Sequence, residues 1–301
     1  VRAELHSNSA SITIATGSTA TEKRLIKING EVATRQQDLL EIVDVLWFLP
    51  AMSHLFLESD SAQRKYLDRM VYGFDREHAS RLHAYEHYVR ERRKLLILPS
   101  PQATWLESVE RSMAEYSVAI AYARTDTIAR LTQAMQQVDS LFPHALLQAK
   151  GTAEDLLQQG MAALQVEAHL TDLLAQSRMQ DKQRGRCSIG AHKTQLHVTF
   201  APTYMPAAHC STGEQKALLL SLLLAQMHAQ HQWHGRLPII LLDEIVAHLD
   251  AQRRDTLFSV LHDAGAQTWV TGTDVADFSA TSSYKRALFV LENGDVYAKE
   301  V

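Results

Sequence analysis

The chain opens with alternating apolar and polar positions. Ile12 and Ile14 are spaced by polar residues, the period of a half-buried strand. Leu25, Ile26 and Ile28 run into Asn29-Gly30, a strong two-residue hairpin signal, and Val32 follows on its far side. A helical pattern spans Asp38 to Val45. The short apolar run Leu46 to Leu49 stops at Pro50. From about Gln63 to Leu98 the pattern is helical, with Leu67, Met70, Val71 and Phe74 at three- and four-residue spacing. Leu82, Tyr85, Tyr88 and Val89 continue it, until Pro99 and Pro101 break it. Further helices are expected from about Trp105 to Val138 and from about Ala153 to Ser177, with turns at Phe142-Pro143 and Lys150-Gly151. Three long helices without strands predict a helical arm inserted between two pieces of another domain.

The pattern changes after Arg184-Gly185-Arg186. Leu196, Val198 and Phe200 alternate as a strand, and Gln215 to His231 reads as a strong helix. Pro238 to Leu242 is a continuous apolar run, as in a strand buried on both faces. Arg253 to Ala264 is helical, and Thr268 to Thr271 is a strand. Ala287 to Leu291 pairs through Asn293-Gly294 with Val296-Tyr297. This alternation predicts an α/β fold. The expected division is 1–74 and 186–301 as the two portions of one lobe, with 75–185 as an all-helical arm.

Composition changes this picture little. Hydrophobic residues make up 46% and charged residues 21% of 301 residues, which excludes disorder and a disulfide scaffold. The net charge of −4 gives no global basic field, so a nucleic-acid site must be a local patch. Such a patch is expected between Asp60 and Lys94, where nine Lys/Arg outnumber six acids. Arg90, Arg92, Arg93 and Lys94 are its densest part. They read either as a solvated helix face or as a surface tracking duplex phosphates. Cys187 and Cys210 show no CxxC spacing, and no stretch is long enough to cross a bilayer. A cytoplasmic protein without membrane contact is expected. His228, His231 and His234 sit three apart with no local carboxylate or thiol to complete a metal site, which favours surface histidines near a helix end.

Two passages carry chemistry. Asp243 and Glu244 directly follow Ile239-Ile240-Leu241-Leu242. A buried parallel strand ending in two carboxylates places them at the ligand-binding edge of an open α/β sheet. This is a Walker B arrangement, in which Asp243 would hold Mg²⁺ and Glu244 would orient a hydrolytic water. The plain alternative is a core strand ending in a polar turn. Ser211-Thr212-Gly213-Glu214-Gln215 precedes the apolar helix. Ser211 with Glu214 three residues on is a capping box, worth about 1 kcal/mol. The same helix start, with free N–H groups and a glycine, is also an anion site. The order is then completed by Ala247-His248-Leu249-Asp250, where Asp250 is either part of the loop after Walker B or the N-cap of the next helix. Thr271 and Thr273 read from the residues as a strand end entering a turn.

Taken together these passages resemble the RecF family, a branch of the ABC-type ATPases related to SMC and Rad50 heads. Cys210 to Leu219 is similar to the family's signature helix, and Leu241 to Asp250 to its Walker B and following loop. Gly190-Ala191-His192-Lys193 resembles a Gly-Pro-His-Arg turn, and Arg64-Lys65-Tyr66-Leu67-Asp68 an Arg-Arg-x-Leu-Asp helix. The resemblance implies an ABC-type ATPase head, with a P-loop-like sheet and flanking helices, that binds ATP and Mg²⁺. It implies a homodimer formed head to tail about ATP, in which Ser211, Gly213 and Gln215 would contact the nucleotide held by the other copy. For Thr271 and Thr273 it implies, instead of a plain strand end, the switch position, where most ABC proteins carry a histidine that senses the γ-phosphate. The implied task is recombinational repair and replication restart, within the SOS response. The partners would be duplex DNA, its single-strand/double-strand junctions at gaps, and RecO and RecR, with RecA as the protein loaded. One departure is large: GxxxxGK[ST] occurs nowhere in the 301 residues, so the N-terminal phosphate-loop segment is expected to be missing. A weak DNA-dependent ATPase is expected only with that segment, and the chain as given should hydrolyse little or nothing. The alternatives are a non-catalytic DNA-binding scaffold and another SMC- or Rad50-like head, for whose long coiled coil an insertion of about 110 proline-broken residues is too short.

Overall fold

The structure is a computed structural model describing residues 2–7, 10–18, 25–33, 36–39, 42–99, 102–137, 141–246, 249–281 and 284–299. The chain forms two compact units, Val1–Asp44 and Val45–Val301.

In the first unit, β1 (Arg2–Ser7), β2 (Ala10–Gly17), β3 (Leu25–Ile28) and β4 (Glu31–Val32) pair antiparallel in chain order. The predicted hairpin at Asn29-Gly30 is present. Both residues take positive φ (52° and 89°), as its two-residue turn requires. Asn29 also fastens the turn to β2: its backbone N–H donates to the Thr13 carbonyl, and its side-chain oxygen accepts from the Thr13 N–H at 2.9 Å. Of the helix expected from Asp38 to Val45, the described residues show only a 3-10 turn at Gln36–Leu39. Val45 instead opens a strand, because Val45-Leu46-Trp47-Phe48 favours an extended, paired backbone.

That strand, β5 (Val45–Phe48), begins the second unit, and Pro50 starts a 3-10 helix over Pro50–Leu57. Helix α1 (Asp60–Tyr72) is capped by Ser59 and buries Tyr66, Leu67, Met70 and Val71. Helix α2 (His78–Ile97) is separate from it. The single helix expected from Gln63 to Leu98 is broken at Gly73, where a Cβ would stand 1.7 Å from the buried Gln230 amide nitrogen. Helix α3 (Ala103–Gln137) is the spine; it packs against α2 and buries Met113, Ile120 and Leu131. Val138 lies outside the described residues.

The segment expected to be all helical contains a strand, β6 (Ala145–Lys150), and its last helix is two: α4 (Thr152–Gln158) and α5 (Ala163–Arg184), parted near Gly160 at φ 84°. Strand β7 (Gln195–Phe200) pairs antiparallel with β6 from Ala145↔Phe200 to Lys150↔Gln195, and β8 (Met205–Pro206) extends the sheet. Ala145 and Ala149 face inward while Leu146, Gln148 and Lys150 face out, the period of two that makes this segment a strand.

Helix α6 (Thr212–His234) is buried on nearly every side from Gln215 to Gln230. It leads through Gly235–Pro238 into β9 (Ile239–Leu242), then α7 (Ala251–Ala264) and β10 (Thr268–Val270). A parallel sheet of order β10-β9-β5 results. The hairpin of β11 (Leu288–Glu292) and β12 (Asp295–Lys299) turns at Asn293-Gly294, as predicted. Leu46, Phe48, Ile240 and Leu242 join Leu218 to Leu224 of α6 in the main core. The opposite face of the sheet is open: Trp47, Leu241 and Trp269 align in register across the three strands, all exposed, and Trp269 stacks on Phe289. The strand expected to be buried on both faces is therefore buried on one. Among the described residues, no helix is long and apolar enough to cross a membrane.

Candidate functional site at the sheet edge

The carboxyl ends of the parallel strands are tied level. The Asp243 N–H donates to the Phe48 carbonyl at 3.0 Å, and the Thr271 N–H to the Leu242 carbonyl at 2.9 Å. Asp243 is half-buried at this carboxyl edge and Glu244 is exposed; open α/β sheets as a class bind ligands at such an edge. Behind them Ile245 and Val246 are buried in the main core and anchor the turn. Glu244 takes φ +52°, a left-handed conformation that a non-glycine residue adopts at a cost. Thr271 links the Asp243 carboxylate to the Glu244 backbone. Its hydroxyl donates to Asp243 Oδ1 at 2.6 Å and accepts from the Glu244 N–H at 3.0 Å. Gly272 follows in a tight place, since a Cβ there would come within 3.0 to 3.1 Å of Phe278 and Val246. Thr273 is exposed on the same loop. Asp250 is the N-cap of α7, its carboxylate accepting from the Arg253 N–H at 2.9 Å. Ala247 and His248 of the intervening loop lie outside the described residues.

At the start of α6 the capping box is complete. Ser211 donates from both its N–H (2.8 Å) and its hydroxyl (2.7 Å) to Glu214 Oε2, and its hydroxyl accepts from the Glu214 N–H. The Ser211 hydroxyl first, then its N–H, hold the Glu214 carboxyl below its ordinary range. Ser211, Thr212 and Gly213 are exposed, and open space surrounds the position of a Cβ on Gly213. Gln215 is a correction: it is buried, and its amide donates to the Cys210 carbonyl at 2.9 Å, so it ties the preceding turn to the helix from inside. One residue further along the helix than Glu214, it turns about 100° away from the exposed face.

The basic patch is also corrected. Arg92 is only 1% exposed. It donates to Glu110, Asp181, the Leu174 carbonyl and Ser177 at 2.6 to 3.2 Å, and so joins α2, α3 and α5 rather than facing solvent. Burial works against its charge, but the surrounding partners, Cys187 and Glu110 among them, more than offset this and raise its pKa. Arg90, Arg93 and Lys94 remain exposed, Arg90 near Glu86 and Lys94 paired with Glu91. Of the other basic residues counted in the patch, Arg64 donates to the Thr194 carbonyl, Arg69 stacks over Trp47 and Tyr66, and Arg81 pairs with Asp75.

The structure joins the two supporting passages through Arg124 of α3, a residue with no distinguishing sequence signal. Its guanidinium grips Asp68 with two hydrogen bonds and also donates to the Ala191 carbonyl and the Thr194 hydroxyl. His78 adds a 2.8 Å contact to Asp68. Burial pushes the Asp68 carboxyl up, but His78 and Arg124 outweigh it and leave its pKa low. In the turn at Gly190, His192 bridges Tyr85 (2.6 Å) and the Cys187 carbonyl (3.0 Å), and burial holds its pKa down. The Nε2–H must donate to that carbonyl, so Nδ1 accepts from the Tyr85 hydroxyl.

Among the described residues, no group of three or more His, Cys, Asp or Glu stands ready to hold a metal. Of the three histidines near the end of α6, expected at the surface, His231 is exposed, but His228 is half-buried, as is His234, which contacts the Gly73 carbonyl at 2.8 Å. Asp243 and Glu244 are hard oxygen donors, and two carboxylates suit Mg²⁺ only when a substrate's phosphates and waters complete its shell.

No family model matches the chain. It is 42% identical over 260 residues to the DNA replication and repair protein RecF of Brucella suis biovar 1, covering 85% of this chain and 67% of that protein. It is 36% identical over 291 residues to RecF of Rhizobium meliloti, covering 95% and 77%. Among solved structures it matches the recombination mediator protein RecF-ATPrS in the RecFOR pathway with TM-score 0.84 and 20% identity, over 99% of this chain and 79% of that one. RecF-ATP matches with TM-score 0.81. The fold is that of the RecF head, and the chain belongs to the RecF family of DNA replication and repair proteins.

Proposed function

We propose that this RecF-family chain works as one half of an ATP-gated clamp on duplex DNA at gaps and single-strand/double-strand junctions, acting with RecO and RecR where RecA is loaded. The observation that carries this reading is the sheet edge: Asp243 and Glu244 at the end of a parallel strand, tied to Thr271 on the next. ATP, which the RecF-ATP structure above carries in its name, would supply the phosphoryl group, and a Mg²⁺ bound with it would neutralise the developing charge. Asp243 helps hold the cation; Glu244 orients and polarises the attacking water. A phosphate loop is needed for turnover, and its GxxxxGK[ST] pattern does not occur in the 301-residue sequence.

The signature end of α6 belongs to the second copy's site. With 23 residues, α6 is about 34 Å long, whereas β9 extends about 13 Å from the loop they share. This difference in reach favours a phosphate held at Asp243 in one copy and met by Ser211 and Gly213 of the other. Binding of that shared phosphate is what draws the copies together. The test is sedimentation with ATP–Mg²⁺ in a form that carries a phosphate loop. Ser211→Arg should stay monomeric and folded, and a dimer indistinguishable from the unmodified protein would sink the shared-site reading. Glu244→Gln should bind ATP and dimerise but turn over at least about 100-fold more slowly; normal turnover removes Glu244 from the mechanism.

A further inference from the structure

We infer that Thr271 is a positioning residue, a hydroxyl relay through which whatever binds Asp243 is transmitted to the backbone carrying Glu244. This deepens the site proposed above and rests on that reading for its catalytic meaning. The sequence places Thr271 where a γ-phosphate contact is expected, but its hydroxyl has a single proton, and that proton is committed to Asp243 at 2.6 Å. A phosphate oxygen accepts hydrogen bonds and needs that proton. Thr271 therefore reaches a phosphate only after Asp243 gives it up.

Its other contact points to Glu244. The Glu244 N–H donates to the same hydroxyl oxygen at 3.0 Å, in a residue whose φ of +52° is unfavourable for a side chain with a Cβ. Two anchors hold that turn. One is the buried pair Ile245 and Val246; the other is Thr271. Thr271 cannot follow a moving loop, because its own N–H is fixed to the Leu242 carbonyl and Gly272 is closely packed beside Phe278 and Val246. A divalent cation drawn to Asp243 competes for the carboxylate lone pairs that now accept the hydroxyl. The hydrogen bond to Asp243 is released, the hydroxyl turns with its proton still on oxygen, and the bond it accepts from Glu244 weakens. Cation loading at Asp243 and the aim of Glu244 are coupled through one oxygen atom.

Amide hydrogen exchange on the 301-residue chain tests this, with thermal melting as the control for folding. Thr271→Val keeps the shape and removes the hydroxyl; Glu244 N–H exchange should quicken about fivefold while the melting midpoint and the exchange of the Thr271 N–H stay close to the unmodified chain. Thr271→Ser should restore Glu244 exchange to within about twofold. In a form that carries a phosphate loop, ATP with magnesium, compared with ATP and EDTA at equal ionic strength, should speed Glu244 exchange in the unmodified and serine chains and leave the valine chain unchanged. Unaltered Glu244 exchange in Thr271→Val overturns the positioning role. A magnesium response that persists in the valine chain, or is absent from the unmodified one, overturns the relay. If valine disturbs the strand ladder, Thr271→Ala is read by the same criteria. Failure of the ATPase reading would show separately, as normal turnover in Glu244→Gln, and would leave these exchange results standing.

Discussion

Two buried arginines, Arg92 and Arg124, each hold carboxylates from separate helices. Removing Arg92 leaves buried Asp181 without its guanidinium partner and Glu110 with Arg178 alone. Arg92→Ala should therefore lower unfolding free energy by about 3–5 kcal/mol, whereas Arg93→Ala should change it by less than about 0.5 kcal/mol; urea titrations followed by circular dichroism compare them. His192 adds a pH dependence. Burial holds its pKa below the ordinary histidine value, so on acidification the unfolded chain takes up a proton near pH 6.5 that the native chain still refuses. The unfolded state binds more protons in that window, and stability falls as pH drops below about 6.5. The urea midpoint should decline between pH 7.5 and 5.5, and His192→Gln should flatten that decline. His228, whose pKa burial also lowers, leaves a residual slope of the same sign. Asp68 and Asp181 act further down: their lowered pKa values mean that their contributions persist to about pH 4 and are lost only below it.

At the level of elements, the local signals were legible and the distant ones were not. The capping box at Ser211, the N-cap at Asp250 and the hairpins at Asn29-Gly30 and Asn293-Gly294 each depend on residues within a few positions, and each forms. Ser211→Ala should cost about 1 kcal/mol, measured by the same titrations. Strand β6 went unread because its partner, β7, begins 45 residues beyond its end, and nothing in Ala145–Lys150 announces that pairing. The break at Gly73 was hidden for a similar reason, since what demands a glycine there is Gln230 on a different helix. At the site, Asp243 and Glu244 follow from an apolar run and its end. The use of Thr271 does not, because which group meets its hydroxyl is set by the register of β10 against β9. Gln215 and Arg92 were assigned outward because linear spacing does not say which side of a helix meets the core. The turn at Gly190 carries its own expectation. It holds φ +123° with Tyr85 pressed against it, so Gly190→Ala should destabilise by at least about 1–3 kcal/mol.

For the whole molecule, net charge and surface decide how DNA would be met. With Arg92 withdrawn into the interior, Arg90, Arg93 and Lys94 are what the densest basic stretch presents. Reversing all three to glutamate should weaken duplex binding and reduce the slope of log affinity against log salt by up to about three, with no change in sequence preference; an unchanged slope returns this surface to a solvated helix face. The open side of the parallel sheet has a practical consequence of its own. Two of the four tryptophans, Trp47 and Trp269, flank Leu241 there, and Trp269 lies two residues before Thr271. Both indoles are partly exposed, so their emission should be red-shifted and open to quenching. The molecule thus carries a built-in optical gauge beside its carboxylate edge, and any covering of that side, by a segment or a second molecule, will register as a blue shift without a dye being attached.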